Sequence, residues 1–107
     1  MLGQIITVTV DRPLGSVHPK HKNIIYPINY GYVENLLGGD GEEQDAYIVG
    51  VNHPVESFTG VVIAIIKRYD DIETKLVVAP KESSFSKEQI NALVYFQEQY
   101  FNYEIIM

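Results

Sequence analysis

Two neighbouring stretches carry the residue types that chemistry on a phosphate needs. Tyr26-Pro27-Ile28-Asn29-Tyr30-Gly31-Tyr32 supplies phenol hydroxyls and an amide, and Asp40-Gly41-Glu42-Glu43-Gln44-Asp45 follows with closely spaced carboxylates. Carboxylate oxygens suit hard divalent cations such as Mg²⁺. Phenol hydroxyls hydrogen-bond a phosphoryl oxygen or a metal-bound water without adding charge. The pairing points to a protein that works on a polyanion through metal ions. Acids in a glycine-rich turn are, taken alone, more often a solvated connection. The tyrosine stretch beside them reverses that preference. An EF-hand loop is excluded, because its sixth place needs Gly and its twelfth Glu, and Asp45 and Val51 stand there.

Other residues extend the candidate site. Asp70, Asp71 and Glu73 form a second acidic group between two apolar runs, although turn chemistry alone also selects such residues. Lys75 alternates with Leu76 on the run that follows, where outward into solvent is the default for lysine. Arg12, His18, Lys20, His21 and Lys22 gather in one loop that is suited to fold over an anion. Arg12 offers a bidentate fork to a phosphate, which His and Lys do not. His18 and His21, three apart in a loop, are poorly spaced for a metal pair and read as solvated or outer contacts. His53 before Pro54 reads as a surface turn residue. Tyr47, Tyr69 and Tyr95 read as packing residues with surface hydroxyls. Tyr26 and Tyr30 are the two tyrosines assigned to the site.

Composition bounds the alternatives. The chain has 107 residues, which fits a single domain with a self-supporting core. Fourteen acids against eight Lys and Arg give a net charge of −6. A sequence-independent nucleic-acid binder works in the opposite sense, by releasing counterions with basic residues. Bound cations can still invert the sign of a local site, so a phosphate substrate is compatible with this charge. There is no cysteine, hence no disulfide frame and no thiolate zinc site. Met1-Leu2-Gly3-Gln4 lacks the start of a signal peptide. The longest apolar run, Val61 to Ile66, is far short of the ~20 residues that cross a bilayer. A cytoplasmic protein without a membrane partner is expected.

The elements that must position these residues are mostly strands. Ile6, Val8 and Val10 alternate with Thr7 and Thr9, which predicts a half-buried strand over 4–10. Residues 24–33 are expected to be extended in part, and Gly38-Gly39-Asp40-Gly41 to turn. Further strands are predicted over 46–51, over 60–67 with both faces covered, and over 74–79 as a hairpin arm. Ser86-Lys87-Glu88-Gln89 is a capping-box pattern, followed by apolar residues at helical spacing. That predicts a helix from about 87 to 102. Mainly β, with five strands able to close into a small barrel and one C-terminal α-helix, is the expected fold class.

The tyrosine stretch, the acids at 40–45, and the hairpin with Lys75-Leu76 and Pro80 together resemble the soluble, Mg²⁺-dependent family I inorganic pyrophosphatases. The likeness spans most of residues 5–80 and, more weakly, the helix. It implies one pyrophosphatase-like domain over 1–107, a distorted OB-like closed barrel, and homo-oligomeric assembly. It also implies hydrolysis of pyrophosphate to two phosphates by a metal-activated water. Position by position, it implies catalytic roles for Glu42, Asp45 and Tyr30. Lys75, Tyr26 and Tyr100 would bind substrate, with Arg12 added from the basic loop. Asp40, Asp45, Asp70, Asp71 and Glu73 would hold two Mg²⁺ ions, with Mn²⁺ as an alternative metal.

Several positions depart from the family pattern. Glu42 and Glu43 replace an Asp and a Pro, Thr7 and Thr9 replace a Lys and a Glu, His18 stands at an Arg position, and Phe101 at a Lys position. The carboxylate side of the site looks kept, and the cationic side thinned. The departures leave two alternatives open. One is hydrolysis of another phosphoanhydride, such as a nucleotide. The other is a non-catalytic descendant that binds a phosphorylated ligand. An OB-like nucleic-acid module ranks last, since the strands lack aromatics interleaved with basic residues.

Overall fold

A computed structural model describes residues 1–107. Six strands and one helix follow in the order β1 (Ile5–Arg12), β2 (Asn29–Leu37), β3 (Glu43–Ile48), β4 (Ser57–Arg68), β5 (Thr74–Ala79), α1 (Lys87–Glu98) and β6 (Tyr103–Ile106). The first five pair in the order β1-β2-β3-β5-β4, and the first half of β4 returns to β1 through Ile5↔Val61 to Thr9↔Ser57. The sheet is therefore a closed five-stranded barrel with a helix after it, as the sequence pattern predicts. Closure satisfies the strand edges that would otherwise invite pairing with another chain.

One strand was not foreseen. The second half of β4 carries β6 on the same edge, from Ile65↔Ile106 to Arg68↔Tyr103. The helix accordingly stops at Glu98 rather than near 102. Its last residue is pinned in the interior, and beyond it the chain must turn to bring Ile105 onto the sheet. Tyr69 N–H donates to the carbonyl of Asn102, and Asn102 N–H to the Asp70 carboxylate, which fixes that turn. At the other end the capping box is formed. Ser86 Oγ accepts from Gln89 N–H, and Gln89 Oε1 accepts from Ser86 N–H.

The strands bury two apolar faces. Val8, Val33, Ala46, Ile48, Val62, Leu76 and Val78 include a residue from each barrel strand and fill the interior. Tyr26, Tyr30, Tyr47, Ala64, Ile66, Val77, Ile90, Val94 and Ile105 form the second cluster, between β2–β5, the helix and β6. The long apolar run of β4 serves both. A bulge between Val62 and Ala64 shifts its register, so Val62 points inward while Ala64 and Ile66 face the helix. Gly31 marks the closest approach of β2 to β1. A Cβ there would lie 1.9 Å from the Thr9 carbonyl oxygen, so no larger residue fits that crossing.

Ile90 is fully buried where the helix meets the second cluster. Ile90→Ala is expected to lower unfolding free energy by about 2–5 kcal/mol, the usual cost of such a truncation. Urea unfolding checks this, and a loss below about 1 kcal/mol would mean that the helix contributes little to the core.

Candidate functional site

The site follows from strand register. β3 and β5 are the one parallel pair in the sheet, with Ala46 beside Leu76. One step earlier on each strand, Asp45 and Lys75 therefore stand side by side, and Gln44 lies next to Thr74. Both pairs bond: Lys75 Nζ to Asp45 Oδ2 at 2.5 Å, and Gln44 Nε2 to the Thr74 carbonyl at 2.6 Å. Ile66 pairs with Lys75 across β4 and β5. Arg68 and Glu73, two residues from these partners, share their face. The carboxylates of both acidic turns thus meet around two cations.

Lys75 and Arg68 share one oxygen. Glu73 Oε2 lies 3.1 Å from Lys75 Nζ and 2.9 Å from Arg68 Nη1. Asp71 adds a longer contact to Arg68 at 3.5 Å. Arg68 also forks onto Glu98, with Nε 2.9 Å from Oε1 and Nη2 2.7 Å from Oε2. The Phe101 ring lies 3.6 Å from the guanidinium carbon. Glu98 is fully buried, and Arg68 and Lys75 are 6% and 3% exposed.

From Glu98 the bonding continues through the interior. Tyr47 donates to Glu98 at 2.6 Å, Gln97 donates to Tyr47 at 2.7 Å, Tyr26 donates to Gln97 at 3.0 Å, and Arg12 donates to Tyr26 at 2.8 Å. An unbroken polar chain therefore runs from Arg12 to Asp45. Tyr47, expected to show its hydroxyl at the surface, is instead fully buried at the centre of this chain. Its hydroxyl is retained there because it is doubly bonded. Lys75 also departs from the lysine default, since Asp45 and Tyr30 draw it inward; Tyr30 accepts from it at 3.0 Å.

These residues floor an open cleft of about 620 Å³. One wall is the loop after β1, with Arg12, His18, Lys20, His21 and Ile24; the other is Gln97, Tyr100 and Phe101. Next to it is a hollow of about 10 Å³ with no hydrophobic lining residue, bounded by the carboxylates of Asp40, Glu43, Asp45 and Glu73. Asp45 and Glu73 line both.

The environment tunes several groups. Burial opposes the charge on Lys75, but Tyr30 and Asp45 outweigh it and hold its pKa above the ordinary lysine range. Burial raises Tyr30, which stays protonated. Burial disfavours the Arg68 charge, but Glu98 outweighs it and raises its pKa. Burial and then Arg12 lower His18, with His21 and Lys20 adding to the effect, which favours neutral imidazole near neutrality. The Glu42 backbone N–H lowers Asp40.

The proposed site residues divide by position. Tyr30, Asp45, Glu73, Lys75, Arg12 and Tyr100 line the cleft. Tyr26 lies behind it, buried, and meets it through Arg12, Gln97 and the stacked His18 ring. Asp40 lines the hollow. Glu42 is exposed at the turn and lines neither cavity. Asp70 and Asp71 also line neither; Asp70 caps the turn at Asn102, and Asp71 accepts from Glu73 N–H. Arg68, Gln97 and Glu98 were not expected in the site. The available signal was an arginine ending an otherwise apolar strand, which must be paired if its neighbours are buried.

No three His, Asp or Glu side chains are gathered closely enough to form a metal cage as placed. Mg²⁺ does not require one, since it takes one or two carboxylates and completes its shell with water and substrate phosphate. Asp45 Oδ1 and Glu73 Oε1 accept no bond from either cation, and Asp40 stands across the same hollow. With Glu43, these carboxylates are an all-oxygen donor set of the kind a hard divalent ion takes.

Searched by sequence, the chain matches no protein-family model and no curated protein. Solved structures match by fold. An inorganic pyrophosphatase from Ehrlichia chaffeensis aligns with a TM-score of 0.72 at 19% identity, covering 97% of this chain and 85% of that one. One from Neisseria gonorrhoeae aligns at 0.66 and 22% identity, covering 92% and 74%. One from Coxiella burnetii aligns at 0.68 and 15% identity, covering 98% and 85%. The chain has the inorganic pyrophosphatase fold. Within that fold, Tyr30, Asp45, Lys75 and Arg12 stand on strands, whereas His18, Lys20 and His21 of the basic wall stand on a loop.

Two outcomes test the floor of the cleft. Arg68→Met leaves Glu98 buried and uncompensated, so it is expected to lose about 3–5 kcal/mol in urea unfolding. Arg68→Met/Glu98→Gln removes both charges and is expected to recover most of that loss; equal losses would mean that the pair is not coupled. Lys75 has a folded pKa above its unfolded value of 10.5. Its contribution to stability is therefore complete below pH 10.5 and is lost only as pH rises through the folded value. Stability of Lys75→Met relative to the parent is expected to be flat from pH 7 to pH 10. A difference that shrinks across that window would contradict the assignment.

Proposed function

We propose that the chain hydrolyses a phosphoanhydride, with inorganic pyrophosphate as the smallest substrate and Mg²⁺ as cofactor. The carrying observation is that Lys75 and Arg12 face the same cleft as the uncommitted oxygens of Asp45 and Glu73. Cations for phosphate and oxygens for a metal thus adjoin. The fold of the solved pyrophosphatases supports the reading, as does the carryover of Tyr30, Asp45 and Lys75.

In this reading Asp40, Asp45 and Glu73 would hold a divalent ion, which when bound would neutralise phosphate charge and acidify water. Lys75 sits at the floor and binds one phosphoryl group. Arg12, oriented by Tyr26, holds the other with its free guanidinium edge. Tyr30 remains protonated beside Lys75 and can donate to a phosphoryl oxygen. Asp45 is the carboxylate placed to take the proton from water. Water oxygen bonds to one phosphorus, the bridging P–O bond breaks, and two phosphates leave. Glu42 has no part in this scheme because of its place at the exposed turn. Assembly as a homo-oligomer and a cytoplasmic location belong to the same reading; no helix is long and apolar enough to cross a membrane.

A second reading has its own observation. Thr7 and Thr59 bond each other across β1 and β4, so mid-β1 sends no charge into the cleft. A cleft with no charged side chain from mid-β1, and with Arg68 and Lys75 already paired on its floor, suits binding of a phosphorylated ligand without turnover.

Phosphate release from pyrophosphate separates the two. The expected result is release with Mg²⁺ and none with a chelator, falling at least ~100-fold in Asp45→Asn, the scale of losing one electrostatic contact in the transition state. Undiminished activity in that variant would sink the assignment. Calorimetric binding of pyrophosphate with no release would favour the second reading.

A further inference from the structure

We propose that Arg68, clamped by Glu98, is a built-in cation that limits the carboxylate cluster to one divalent ion, with Glu98 as its positioning residue. This rests on the metal-dependent reading above. It replaces the two ions that the family resemblance implies with a count derived from this chain's own side chains.

The cluster contains Asp40, Glu43, Asp45, Asp71 and Glu73, and two cations already occupy part of it. Lys75 takes Asp45 Oδ2 and shares Glu73 Oε2. Arg68 takes the other approach to Glu73 Oε2 and faces Asp71 Oδ2. Asp71 Oδ1 accepts from Glu73 N–H. The Arg68 side of the cluster therefore offers no carboxylate free of a cation. Asp11, the other carboxylate of the cleft, already lies beside the Arg12 charge. The oxygens that Lys75 and Arg68 leave uncommitted belong to Asp45, Glu73, Asp40 and Glu43, around a hollow of about 10 Å³. That is the space of about one water-sized sphere.

Arg68 cannot step aside for a second ion. Its side chain is 4% exposed, three of its nitrogens are held by Glu98 and Glu73, and its face lies on Phe101. It cannot lose its proton either, since guanidinium stays charged in proteins. A divalent ion on that side would meet a fixed positive charge. Glu98 touches neither cleft nor hollow, so it reaches the carboxylate cluster through Arg68 and the far cleft wall only through Tyr47 and Gln97. Its two oxygens take the Nε and Nη2 bonds, which leaves Nη1 aimed at Glu73.

Mn²⁺ binding tests this without reference to turnover. Titration calorimetry and the electron-spin signal of free Mn²⁺ are expected to give one ion per chain in the parent protein. Arg68→Met/Glu98→Gln removes the pair without stranding a buried charge and frees Glu73 and Asp71; two ions per chain are expected. Two ions in the parent, or one in a folded double variant, overturns the inference. If the double variant does not fold, the parent stoichiometry decides, with one ion supporting and two refuting. Two ions together with Mg²⁺-dependent phosphate release would leave the hydrolase reading standing while removing this one. No bound Mn²⁺ and no phosphate release would remove both.

Discussion

Burying an arginine and a lysine in one small domain is tolerable only if carboxylates meet them, and the floor of this cleft is organised by that requirement. Arg68 and Lys75 converge on a single oxygen of Glu73, and each has a second partner, Glu98 or Asp45. Such pairs are weak contributors to stability compared with an apolar core of the same volume. What they contribute is geometry. Every bond fixes one more side chain, and the chain of contacts extends through Tyr47, Gln97 and Tyr26 to Arg12. The helix is thereby tied to the barrel by polar contacts as well as by Ile90 and Val94. A phosphate entering the cleft meets groups that are already oriented, which lowers the cost of ordering them on binding.

Topology decides which residues can meet there. In an antiparallel pair β3 and β5 would run past each other, and Asp45 would stand opposite the far end of β5. The parallel pairing instead aligns their starts, so the turns before them, 38–42 and 69–73, open at the same end of the barrel. β4 ends there too, which delivers Arg68. The bulge at Val62–Ala64 lets one strand fill the interior with its first half and face the helix with its second. Without that shift in register, Arg68 would point to the opposite face from Lys75.

Much of this was readable from residues and part was not. Alternation in β1, the β-rich run of β4 and the 74–79 arm gave the barrel strands, and Ser86 with Gln89 marked the helix start. The tyrosines and the acids at 40–45 drew attention to the right end of the molecule. Glu98 was hidden, because a glutamate near a helix end normally faces water. Its burial depends on Arg68, thirty residues earlier, and no local pattern records such a pair. Tyr47 was misplaced for the same reason: its partners Glu98 and Gln97 are distant in sequence. β6 escaped because Tyr103–Ile106 is short and gains its strand character only from the free edge of β4.

The departures from the pyrophosphatase pattern form a coherent set once the network is in view. Threonines leave mid-β1 without charge, and they turn to other strands: Thr7 bonds Thr59 and Thr9 donates to Glu34. Positive charge appears in two other places, at Arg68 on the floor and in the loop of Arg12, Lys20 and the two histidines. The first is immobile and already paired. The second is solvent-facing, and its stacked His18 and Tyr26 rings connect it to the network that holds Arg12. Neutralisation inside the carboxylate cluster is thus permanent, whereas neutralisation of an incoming anion falls to Lys75 and to a loop. A site built this way depends less on recruited metal for its own stability, because its carboxylates are compensated when it is empty. It depends more on the end of β1 and the loop after it for grip, where Arg12 is held ready by Tyr26 while Lys20 is exposed and must be ordered when an anion binds.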